Sequence, residues 1–163
     1  MSRQISELES ILSQMIVEHK KLLDHLTTQQ AAMTTCDLKK MDESRTLAEA
    51  CRLRILGLDQ RRRVVVGQIA VQLKLGADVT LGQIAASYPP RAQALLALRR
   101  DLKAAAEQVK ARAYIAGRVA GAVLGHLNTV VRLIAGAVGK AGLYNKRGVP
   151  RIANRIGVME RVG

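Results

Sequence analysis

The cluster GAVGKAG, from Gly136 to Gly142, carries the glycine and lysine content of a phosphate-binding loop. Such a loop needs a glycine five residues before its Gly-Lys pair and a hydroxyl directly after the lysine, so that backbone N–H groups wrap the phosphate and the hydroxyl reaches its metal ion. Ile134 and Ala141 hold those two positions, so phosphate chemistry fails on spacing. His19 and His25 are six residues apart and diverge around a helix. Cys36 and Cys51 pair with nothing at zinc-ligand spacing. No nucleophile, base and orienter can be grouped. The expectation is a protein that is not an enzyme, with no catalytic residue, no metal and no cofactor. The triple Arg61, Arg62, Arg63 reads first as a solvated helix face and second as an anion site.

The elements that carry these residues read as helices. Ile5, Leu8, Leu12, Met15, His19, Leu22 and Leu26 recur in steps of three and four, the a/d pattern of a helical seam. Ile11, Ile16 and Leu23 widen that stripe. His19 falls on the seam as a packed or edge histidine. In TTCDL, β-branched Thr34 and Thr35 and the capping-type Asp37 favour a break. A second series, Met41, Ala48, Cys51, Ile55, Leu58, Val65 and Ile69, predicts a helix antiparallel to the first. Gly76 is expected to end it, and Thr80 with Gln83 fits a capping box. YPP then stops a short helix, because the residue before a proline is pushed out of the α region. A third long helix follows, with Leu95, Leu98, Leu102, Val109, Ala113, Ala116, Val119, Val123, Leu127, Val130 and Ile134 on its seam.

The spacing predicts long helices over about 2–34, 38–75 and 90–140, with a short one over 81–87. The expected fold class is all-α: an elongated antiparallel helical bundle or coiled coil of three long helices over residues 1–143, followed by a flexible basic C-terminal tail over 144–163. Composition agrees with thin helix-to-helix seams, since 48% of the 163 residues are hydrophobic yet the aromatics are three tyrosines, with no Phe and no Trp.

Charge is unevenly distributed. Residues 1–60 hold eight Lys/Arg against nine Asp/Glu, and residues 61–163 hold eighteen against four, for a net +13. This asymmetry points to an acidic partner, whether nucleic acid, membrane surface or protein. Nucleic acid is disfavoured, because three scattered tyrosines make no stacking platform and no helix-turn-helix, zinc or RRM signature is present. The polar start MSRQISELES has no secretory signal character, and two separated thiols suit a cytoplasmic protein. The most apolar stretch, Ala113 to Gly139, is interrupted by Arg118, His126, Asn128 and Arg132. No uninterrupted run approaches the ~20 residues of a bilayer span, so no transmembrane segment is expected.

On the third long helix, Gly117, Gly121 and Gly125 fall four apart and line one face. They read either as tight packing against another helix of the chain or as part of a groove for a partner's helix, with Val130, Ile134 and Val138 beside them. Beyond that helix, Tyr144 offers a ring and one hydroxyl that suit an interface anchor or a cap on the bundle end. Val149, Ile152 and Ile156 then recur in steps of three and four within a basic tail that can fold on binding.

Two segments carry a resemblance. KKMDESRTLAEACRLRILGLDQRRR, Lys39 to Arg63, and GHLNTVVRLIAGAVGKAGLYNKRG, Gly125 to Gly148, resemble the second and last helices of FlgN-type flagellar export chaperones. The resemblance implies a cytoplasmic, non-enzymatic chaperone of the flagellar type III system that binds hook-filament junction proteins of the FlgK and FlgL type. It also implies docking on the FlhA-type export gate component through a tyrosine, which Tyr144 matches in place, flanked by Leu143 and Asn145. The chain is more basic than that family, and its VPRIANRIGVMERVG ending departs from the pattern. Two other readings stand beside it: a nonspecific nucleic-acid or membrane-surface adaptor, and a structural coiled-coil subunit.

Overall fold

The computed structural model describes residues 2–76 and 78–141, with side chains described through residue 136. The first two elements, α1 (Ser2–Thr34) and α2 (Leu38–Leu73), are long because no proline interrupts either and their apolar residues recur at helical spacing. Between them the chain reverses within three residues. Cys36 takes a left-handed conformation with φ 54°. Its N–H donates to the Met33 carbonyl (3.3 Å) and that of Asp37 to the Ala32 carbonyl (3.0 Å), which closes the last turn of α1. The Asp37 carboxylate then accepts from the Lys40 N–H at 3.1 Å and opens α2.

The end of α2 repeats this geometry two residues before the expected Gly76. Lys74 is the left-handed residue, with φ 53°, and Leu75 N–H donates to the Ala70 carbonyl at 2.9 Å. The helix therefore ends at Leu73, because the reversing bonds form around Lys74 although a glycine stands nearby.

Next come α3 (Leu81–Ser87), a 3₁₀ turn (Pro89–Arg91) and α4 (Ala92–Ala141). Thr80 and Gln83 close the capping box in both directions: Gln83 N–H to Thr80 Oγ1 at 3.3 Å, and Thr80 N–H to Gln83 Oε1 at 2.8 Å. Among the described residues the all-α fold thus has four helices rather than a bundle of three, the fourth being the short helix expected over 81–87. The short α3 belongs to the core, since Ile84 and Ala85 are buried in it.

Register follows from pairs that cross between helices. Arg54 of α2 meets Glu18 of α1 and Arg61 meets Glu7, so α1 and α2 are antiparallel. Arg91 meets Glu9 and Arg112 meets Gln30, each pair 82 positions apart, so the first part of α4 runs parallel to α1. The main core encloses Ile5, Leu8, Leu12, Ile69, Ile84 and Leu95 completely. Each such side chain contributes about 1.5–3 kcal/mol of burial. Towards the α1–α2 turn the seam is made of smaller residues, Ala32, Ala48, Cys51, Ala105 and Ala116. Contacts divide the chain into two units, Met1–Ala120 and Gly121–Gly163.

Candidate partner-binding surfaces

The seam of α4 changes character along its length although its period does not. Leu95, Ala105 and Ala116 are buried in the core. Val119 and Val123 are half-buried. Leu127, Val130 and Ile134, next on the same stripe, are 55%, 50% and 58% exposed, and Leu124 and Val131 beside them are exposed too. Within the first unit, a constant offset of 82 brings Thr34, the last residue of α1, level with Ala116. Two of the expected groove residues, Val130 and Ile134, are thus exposed among the described residues.

The three glycines stand elsewhere. Gly121 and Val130 are nine residues apart, as are Gly125 and Ile134, which at 3.6 residues per turn is about two and a half turns. Gly121 therefore lies on the opposite side of α4 from Val130, and Gly125 from Ile134. Among the described residues, the glycines do not pack closely against another helix. A Cβ built at Gly117, Gly121 or Gly125 meets no described atom within 4 Å, which corrects the tight-packing reading. Val138 is within α4, with its side chain outside the described set. Leu143, Tyr144, Asn145, Val149, Ile152, Ile156 and the 144–163 tail lie outside the described residues.

Seam counting passed over Glu18. It falls on the flank of the α1 stripe, yet its side chain is only 11% exposed. Lys21 Nζ reaches Oε1 at 2.8 Å and Arg54 Nε reaches Oε2 at 2.8 Å. The Lys21 hydrogen bond, joined by that of Arg54, holds the carboxyl below its ordinary value against the upward push of burial. The legible signal was Lys21 three residues on; Arg54 could be found only from the hairpin register.

Around this cluster a groove of about 620 Å³ runs between α1 and α2, lined by Val17, Glu18, Arg54, Gly57 and Arg61 among others. Arg61 and Gly57 also border the next depression, with Glu7 and Val64. Partial burial pushes Asp59 upward, but hydrogen bonds from Arg62 and Arg63 bring its carboxyl below the ordinary value. The arginine triple is thus already engaged with Asp59 and, through Arg61, with Glu7. His19 is a half-buried edge residue whose Nδ1 lies 2.7 Å from the Met15 carbonyl.

One helix bears on the expectation of no transmembrane segment without overturning it. By length and composition alone, Pro89–Gly136 is long and apolar enough to cross a membrane, its most apolar stretch having a mean hydropathy of 1.4. Arg118, His126 and Arg132 interrupt uninterrupted runs but do not bring that average down.

A helical hairpin with a third long helix whose later seam residues are exposed has the apolar surface on which helix-in-groove contacts are built. The family comparison makes this specific. Residues 1–151 match the model described as FlgN protein, and the chain belongs to that family of flagellar export chaperones. FlgN is a chaperone family rather than an enzyme family, and its chaperones are soluble cytoplasmic proteins that bind flagellar proteins. No curated protein and no solved structure matches the chain.

Proposed function

We propose that this chain is a cytoplasmic export chaperone for hook-filament junction proteins of the FlgK and FlgL type, and that it delivers them to an FlhA-type export gate. The observation that carries the reading is the exposed continuation of the α4 seam through Leu127, Val130 and Ile134. An amphipathic helical end of a junction protein would cover this stripe as α1 covers the earlier part of the same seam. Gly117, Gly121 and Gly125, on the far side of α4, would admit a second close approach by the same substrate. Val138 would extend the stripe, and Val149, Ile152 and Ile156 would complete the grip from the tail. Tyr144, with Leu143 and Asn145, would dock on the gate.

The test is calorimetric titration of the full chain with the C-terminal segment of a junction protein. Val130→Asp combined with Ile134→Asp is expected to weaken binding at least tenfold while leaving helix content unchanged. Equal binding by this variant, or none by the wild type, would overturn the substrate assignment. Tyr144→Ala is expected to reduce binding to the gate component's cytoplasmic domain and swimming motility while junction-protein binding persists.

The α4 hydropathy and the basic second part of the chain support a second reading, a membrane-surface adaptor. Flotation with anionic vesicles, undiminished by excess junction protein, would favour it over the chaperone reading.

A further inference from the structure

α2 is apolar on two faces. Its first seam, through Cys51, Ile55, Leu58, Val65 and Ile69, packs into the bundle. On the opposite side, Leu53, Gly57, Gln60, Val64, Gly67 and Val71 repeat in alternating steps of four and three, the spacing of a second heptad seam in which Gln60 is the one polar member. Leu53, Val64 and Val71 on that stripe are 55%, 61% and 79% exposed. Gly57 and Gly67 alternate with them, and a Cβ at either would meet no described atom within 4 Å. A helix with apolar residues on both sides ordinarily has neighbours on both. Among the described residues, nothing covers this one.

The flanks say what would cover it. Arg54 and Arg61 line one edge of the stripe and Arg63 the other, with side chains 55%, 62% and 74% exposed. Their carboxylates are shared: Glu18 serves Lys21 and Arg54, Asp59 serves Arg62 and Arg63, and Glu7 serves Arg61. Five cations thus meet three carboxylates, an excess of two. A second copy of this chain would set the same arginines against each other, as like charges at the edges of a helical seam repel. An incoming helix with acidic edges would complete the pairing.

We propose that the outward face of α2 is a second docking surface, distinct from the α4 stripe, for a partner protein's amphipathic helix with apolar residues at a and d and Asp or Glu at its flanks. The alternating glycines allow that helix to approach closely, and the adjoining grooves at Gly57 receive its larger side chains. This surface does not depend on what α4 binds.

The probes are two synthetic helical peptides with Leu at a and d, one with Glu at e and g and the other with Lys, titrated against the full chain by fluorescence anisotropy. The Glu peptide is expected to bind at least tenfold more tightly than the Lys peptide, and to weaken with added salt. Val64→Asp is expected to reduce its binding at least tenfold, and Arg61→Glu with Arg63→Glu to reverse the preference. Circular dichroism checks the fold of each variant; the exposed arginine pair keeps the test decisive if Val64→Asp unfolds. Absence of binding, equal binding of both peptides, or loss on Leu127→Asp with retention on Val64→Asp would each overturn the proposal. So would a dimeric chain that Val64→Asp converts to monomer, which would make a second copy the occupant.

Discussion

Arg54 of α2 reaches Glu18 of α1 across the hairpin, Nε to Oε2 at 2.8 Å, while its Nη2 lies 3.4 Å from the Sγ of buried Cys51. One guanidinium thus ties a nearly enclosed carboxylate on one helix to the seam of the other. A slip of α2 along α1 by one turn would leave Glu18 with Lys21 alone, so the pair reports on hairpin register.

Glu18→Gln is expected to destabilise the chain by about 1 kcal/mol at neutral pH. The value is kept low because Arg54 is half-exposed and solvent screens it. The folded-state pKa of Glu18 lies below its ordinary value of 4.5, so its contribution is fully present above that value and is lost as pH falls through the folded pKa. Urea unfolding of wild type and variant from pH 7 down to pH 3 checks this. A stability difference that grows on acidification would contradict it.

Cys36→Gly and Lys74→Gly should each raise stability. Both residues hold left-handed backbone that costs a side-chain-bearing residue about 1–2 kcal/mol. Greater freedom of glycine in the unfolded chain offsets part of that gain, leaving a net about 0.5–1 kcal/mol. Urea midpoints measure it, and a drop at either site would mean that the side chain contributes more than its backbone strain costs.

Gly117→Ala, Gly121→Ala and Gly125→Ala should raise helicity and thermal midpoint, since glycine within a helix costs roughly 0.5–1 kcal/mol relative to alanine. The added methyl finds open space at all three positions. Lower thermal midpoints would show that another helix needs those positions bare.

Local features were the most legible. Thr80 and Gln83 announced a capping box because both of its bonds join residues three apart. Asp37 announced the start of α2 for the same reason, since its partner is Lys40. The stripe through Ile5, Leu8, Leu12 and Met15 was readable as buried, and all four residues are in the core. Lys74 was not readable as the reversing residue, because glycine preference pointed to Gly76 and the conformation was chosen by the bonds from Lys74 and Leu75 back to the last turn of α2. Glu18 was missed because a charged residue on a seam's flank looks solvated until a neighbouring helix supplies Arg54.

The amino-acid sequence by itself determined the all-α class, the helix starts capped by Asp37 and Thr80 and the apolar stripes the helices carry, because helical periodicity and capping act within about one turn. Which stripes would be covered was decided by the tertiary structure. Leu95 and Ala116 share period and chemistry with Leu127 and Ile134, yet the first pair is buried and the second exposed. The same holds on α2, where Val65 is buried and Val64, one residue away, is not. Period is a property of one helix, whereas coverage depends on the register and length of its neighbours. Here those are set by contacts such as Glu9 with Arg91 and Gln30 with Arg112, which join residues 82 positions apart.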